Sequence, residues 1–123
     1  MRILLGVMAV ALLAGCASAP AVPTPRVETF AAPPGRVLQA TMATLAARGF
    51  VIIHGDQTLG RLDAEYASRP PWWIKASVET AGAGSQLELV GRRGTAALAP
   101  SDFDVLVDHL RNRLASAATS DAP

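Results

Sequence analysis

The sequence predicts a two-layer α+β fold over residues 34–115, ordered helix, four-stranded antiparallel meander, helix. Two stretches with apolar residues at helical spacing bracket this segment, and four short β-type runs lie between them. An antiparallel sheet with one polar face needs its apolar face covered, and two amphipathic helices supply that cover.

The first helix is expected over 34–48. Pro34 suits a first helical turn, and Val37, Leu38, Thr41, Met42 and Leu45 recur at helical spacing. Gly49 after Arg48 fits a left-handed stop, with Phe50 packing back on the helix end. Residues 50–54 form a short β-branched run and a candidate sheet edge, followed by a turn over 54–57. In 61–66, Leu62, Ala64 and Tyr66 alternate with charged residues. Pro70-Pro71 interrupts, and 72–79 alternates again with Trp72, Ile74, Ala76 and Val78 inward. A Gly-rich hairpin turn over 81–84 leads to 86–90, with Leu87 and Leu89 inward. Residues 91–100 read as a connection. Ser101-Asp102-Phe103-Asp104 has capping-box spacing, and Phe103, Leu106, Val107, Leu110 and Leu114 place the second helix over 102–115.

Outside this unit the composition changes. Residues 16–33 are rich in Ala and Pro, which favours an extended, disordered tether, and 116–123 read as a frayed tail. The chain has 11 Lys+Arg and 10 Asp+Glu, so removing Arg2 with a leader leaves 10 against 10. A near-neutral domain argues against a nucleic-acid partner, which selects a basic face.

The most specific motif is N-terminal. Arg2 precedes an apolar run of about 12 residues, too short to span a bilayer, which takes roughly 20. The run ends in Leu13-Ala14-Gly15-Cys16, and Cys16 is the only cysteine. A positive residue, a short apolar segment and small residues at a cleavage point read as an export signal. This segment resembles the lipobox-type signal peptide of bacterial lipoproteins. The resemblance implies a signal peptide over 1–15, cleavage between Gly15 and Cys16, and acylation of the Cys16 thiol (a diacylglyceryl group, with palmitate-type chains). Two or more acyl chains give stable anchoring where one gives only marginal binding. Ala17, where enteric bacteria use Asp for inner-membrane retention, implies the outer membrane, facing the periplasm. In element order alone, 34–115 also resembles the helix-grip domains of some outer-membrane assembly lipoproteins.

Catalytic and metal motifs are not legible. No Gly-x-Ser-x-Gly elbow, phosphate loop or Cys/His cluster occurs, so no catalytic residue, metal or cofactor is expected. His54 and Asp56 flank Gly55, but two candidate ligands make a poor site, and His109 lies far off in the second helix. Arg92-Arg93 between Gly91 and Gly94 reads as a small basic turn suited to lipid phosphates or an acidic partner. The most unusual internal segment is Arg69-Pro70-Pro71-Trp72-Trp73. With Trp72 inward, the pleat turns Trp73 outward beside Lys75, so Arg69, Trp72, Trp73 and Lys75 are the candidate partner-binding residues.

The sequence thus favours a membrane-anchored envelope lipoprotein with a small non-catalytic interaction domain in a structural or assembly role. The alternative is a periplasmic lipoprotein that binds a small apolar or sugar-like ligand between helices and sheet. Ala40, Ala43, Ala46 and Ala47 separate the two readings: facing the sheet they leave room for a ligand, and facing solvent they imply a closed core.

Overall fold

Alternating side chains along five main strands build one sheet in the computed structural model, which describes residues 22–120. The chain runs β1 (Arg26–Phe30), α1 (Pro34–Ala47), β2 (Val51–Asp56), β3 (Arg61–Tyr66), β4 (Trp72–Ala81), β5 (Gly84–Arg93), β6 (Ala96–Ala97), a 3-10 turn (Pro100–Phe103) and α2 (Asp104–Ser120). The strand order is β1-β5-β4-β3-β2, every pair is antiparallel, and β6 pairs with the far end of β5. Helix α1 carries the chain from one edge strand, β1, to the other, β2, and the meander β2 to β5 returns it. The α+β reading is therefore right, with β2 at an edge, and the sheet holds two strands more than the four expected.

The core lies between the sheet and the helices. Leu62, Ala64, Ile74, Ala76, Val78, Leu87 and Leu89 point to one side of the pleat, where they meet Val37, Leu38 and Leu45 of α1 and Leu106, Val107 and Leu110 of α2. Thr41 and Thr44 are also buried in α1. Each hydroxyl donates to the carbonyl four residues back, to Val37 and Ala40 at 2.7 Å, so neither is left unpaired.

The largest correction concerns the tether. Residues 26–30, expected to be disordered within 16–33, form β1, and all five of its residues pair with β5 from Leu89 to Ser85. Its core-facing positions are Arg26, Glu28 and Phe30, opposite Leu89, Leu87 and Ser85. Two charges on a core face are tolerated because each has partners on that face. Arg26 donates to Glu28 at 2.8 Å, to the Pro100 carbonyl at 2.9 Å and to Asp104. Arg111 of α2 donates to Glu28 at 2.5 Å and lies over the Phe30 ring, 4.8 Å from its centroid. This cluster fastens β1 to α2, so the domain begins near residue 26 rather than 34.

The second domain boundary also moves. Helix α2 continues through residues 116–120, expected to be tail, in an Ala-rich stretch of high helix propensity. Leu114, Ala115 and Ala118 border a groove beside Phe30 and Pro33. Residues 1–21, with the signal peptide, Gly15 and Cys16, lie outside the described residues.

The Arg26–Glu28–Arg111 contacts carry a pH signature. Hydrogen bonds from Arg26, then Arg111, hold the Glu28 carboxyl below its ordinary value of 4.5, against the opposing effect of burial. A carboxyl whose folded pKa is depressed stabilises the fold above the unfolded value, and that stability is lost as pH falls through the folded pKa. Urea midpoints should therefore decline as pH is lowered past 4.5, and the Glu28→Gln variant should be less stable at neutral pH with a flatter acid limb.

Candidate functional site

The candidate site is a cavity at one end of the sheet, and it forms because α1 stops where it does. Gly49 takes φ +92°, which a glycine adopts freely. Its N–H donates to the Ala46 carbonyl at 3.0 Å and the Phe50 N–H to the Leu45 carbonyl at 3.0 Å, the paired bonds of a Schellman stop. Phe50 is thereby folded under the helix end against Tyr66, ring centroids 5.5 Å apart. A Cβ on Gly49 would meet Tyr66 Cε2 at 2.9 Å, so the glycine also makes room for that ring.

The sheet supplies the floor. Tyr66, Trp72 and Arg93 are registered side by side across β3, β4 and β5, and the Arg93 guanidinium sits 5.4 Å from the Trp72 ring centroid. The roof comes from the segment after β5, which is more ordered than the connection expected over 91–100. Arg92 and Arg93 are strand residues paired with Ala97 and Ala96, not turn residues. The Leu98 N–H donates to the Gly91 carbonyl at 2.9 Å, which folds Leu98 onto the sheet. A Cβ on Gly91 would lie 2.7 Å from Leu98 Cδ1, so this close approach needs glycine.

Next, Asp102 accepts from the Ala99 N–H at 2.7 Å and closes the turn that presents Phe103. The expected capping box at Ser101 is thus displaced. The chain turns in at Ala99 with Pro100 leading, and Asp104, which would have completed the box, binds Arg26 instead.

Together these groups border a half-open pocket of about 230 Å3, lined by Leu45, Arg48, Phe50, Tyr66, Trp72, Ile74, Leu98, Asp102, Phe103 and Leu106. The walls are mostly aliphatic and aromatic, while Arg48 and Asp102 are exposed polar members of the lining. An apolar chamber with few polar groups is the usual form of a small-molecule site.

The four residues singled out in sequence do not form one patch. Trp72 borders the cavity, whereas Trp73 is on the opposite face, between Glu65 and Arg92 in register and under Lys75, whose Nζ is 5.6 Å from its ring centroid. Arg69 is exposed in the connection from β3 to β4. Of the four alanines meant to decide between readings, only Ala40 is buried, and Ala43, Ala46 and Ala47 face outward. By that criterion the groove is closed. The space arises farther along, beyond the last turn of α1, from residues read in sequence as core or connection. Leu98 had no local signal, because its role depends on a loop folding across β5, and Asp102 carried only the signal of a helix start.

On the outer face, strand β2 continues through His54 and Asp56, where a turn was expected over 54–57. Asp56 accepts from the Leu59 N–H at 3.0 Å and so shapes the β2–β3 turn. Among the described residues no three His, Asp or Glu side chains are placed to share a metal ion. No helix among them is long and apolar enough to cross a membrane.

No family model matches the sequence, and no curated protein matches it. The fold does have a solved counterpart. The crystal structure of Ara h 8.0201 superposes with a TM-score of 0.53 at 12% identity, covering 80% of this chain and 97% of that one. At that identity the similarity is one of fold.

Proposed function

We propose that the domain binds a small, mainly apolar molecule in the cavity bounded by Phe50, Tyr66, Trp72 and Phe103. The observation that carries this reading is the 230 Å3 apolar chamber at the open end of the sheet. Its size limits the guest. Drug-sized sites run from about 300 Å3, and a buried apolar cavity of about 150 Å3 accepts benzene. One fused ring pair or a short acyl chain fits that range. Arg48, exposed on the lining, suits an anionic or hydroxylated end of the guest. We further propose that the protein is exported and held by acylation of Cys16, as the lipobox-type sequence implies, so that binding takes place at the outer membrane on its periplasmic face. We propose capture of a ligand rather than catalysis, because the lining is mostly apolar and Asp102 is the one carboxylate on it.

A partner-binding role for the opposite face ranks second. It rests on Trp73 and Lys75 alone, since Trp72 belongs to the cavity.

Titration with the apolar fluorophore N-phenyl-1-naphthylamine tests the ligand reading. Saturable enhancement with quenching of Trp72 is expected, read in a Trp73→Phe background. The Leu98→Phe variant, which fills the cavity, should weaken binding by about tenfold or more while keeping the native circular dichroism, since overpacking costs about 1–3 kcal/mol. Equal binding by parent and filled variant would place the probe elsewhere.

A further inference from the structure

We infer that the cavity end of the domain docks on an anionic phospholipid surface, so that the ligand chamber opens toward the bilayer. The inference rests on the proposed Cys16 anchor and extends it to an orientation.

The first observation is where the leash joins the fold. Arg26 is the first residue of β1, ten positions beyond Cys16. A chain spans at most about 3.5 Å per residue, so the leash is limited to roughly 35 Å. A domain of about 100 residues has a radius of gyration near 13 Å, hence a comparable width. The domain therefore stays within about one domain width of the surface, joined to it through the Arg26 end. That end is also the cavity end. Arg26 binds the Pro100 carbonyl and Asp104, and the turn between them carries the lining residues Asp102 and Phe103.

The second observation is charge. Arg48, Arg69 and Arg93 are exposed at this end. The Gly94 N–H donates to the Pro71 carbonyl at 2.8 Å, which holds the Arg69 and Arg93 segments together. Of the acidic side chains here, Asp104 is paired with Arg26, which leaves Glu65 and Asp102, the latter accepting from the Ala99 N–H, against the three arginines.

The third is apolar exposure. Val51, Tyr66 and Val105 are 61%, 40% and 54% exposed, and all three belong to the same end. Cations interleaved with exposed apolar and aromatic groups are what an anionic lipid interface attracts.

The test uses acylated protein purified from membranes and reconstituted into phosphatidylcholine vesicles with or without phosphatidylglycerol. Quenching of tryptophan by lipids brominated near the headgroup reports docking. Quenching is expected in the anionic vesicles and should fade with added salt. Each of Arg48→Gln, Arg69→Gln and Arg93→Gln should reduce the docking equilibrium constant roughly fivefold, and the three together about 100-fold, at the usual strength of a cation near an anionic surface. Acylated, folded protein quenched equally on neutral and anionic vesicles, or a triple variant that still docks, would overturn the orientation. A purified chain whose mass carries no acyl group would remove the anchor and the docking with it. Naphthylamine binding, measured separately, would still decide the cavity.

Discussion

Phe103→Ala should be the most destabilising single truncation in the domain, at about 3–5 kcal/mol. The ring is 1% exposed and is the largest of the fully buried side chains. It stands where the 3-10 turn, α2 and the sheet meet, and it borders the cavity, so truncation enlarges a space that already exists. For a domain of this size the melting temperature should fall by roughly 12 °C or more. Val105→Ala, two residues on and exposed, should change stability by no more than about 0.5 kcal/mol. The enlarged chamber makes a second expectation: an apolar guest such as N-phenyl-1-naphthylamine should restore part of the lost stability by binding only the folded chain.

Gly84→Ala comes next, and it tests the corrected domain boundary. A Cβ at this position would lie 2.1 Å from the Phe30 carbonyl oxygen and 3.1 Å from its carbon, both backbone atoms of β1. No rotamer relieves such a clash, so β1 must shift on β5. The expected cost is at least about 2 kcal/mol, toward the upper end for overpacking. Gly82→Ala in the same hairpin is the control. Gly82 has φ +58° and open space around its missing Cβ, so only the left-handed penalty of about 1–2 kcal/mol applies. Thermal melts of the two variants separate the cases. If Gly84→Ala is no worse than Gly82→Ala, residues 26–30 are not held against the sheet.

What was legible in the sequence was local. The stop of α1 at Gly49 and the alternation of 61–66 and 72–79 each depend on residues within one turn or one pleat. Strand β1 was hidden because its core-facing positions are Arg26 and Glu28, whose partners Asp104 and Arg111 lie 78 and 83 residues away from them in sequence. A charged residue on a core face reads as solvent-exposed until its partner is known, and the neighbouring prolines reinforced the tether reading. The site was half legible. Trp72 could be turned inward by the pleat alone. Leu98 could not be placed, because a ten-residue connection gives no sign that it will fold across β5, and Asp102 was legible as a helix-start residue but not as one that faces a cavity. The alanines of α1 misled for the opposite reason: small side chains suggest room, but the room lies past the last turn of the helix, where Phe50 is tucked under.

The Gly49–Phe50 stop, the Gly91–Leu98 contact and the Ala99–Asp102 turn therefore converge on one structural outcome, an apolar chamber open at the end of the sheet. Methyl-resolved NMR of the folded protein during titration with N-phenyl-1-naphthylamine measures that outcome directly. The account predicts saturable shifts concentrated on the methyls of Leu45, Ile74, Leu98 and Leu106, with those of Val27 and Val90 on the outer face unmoved. Shifts confined to the outer face, or none at saturating probe, would contradict it.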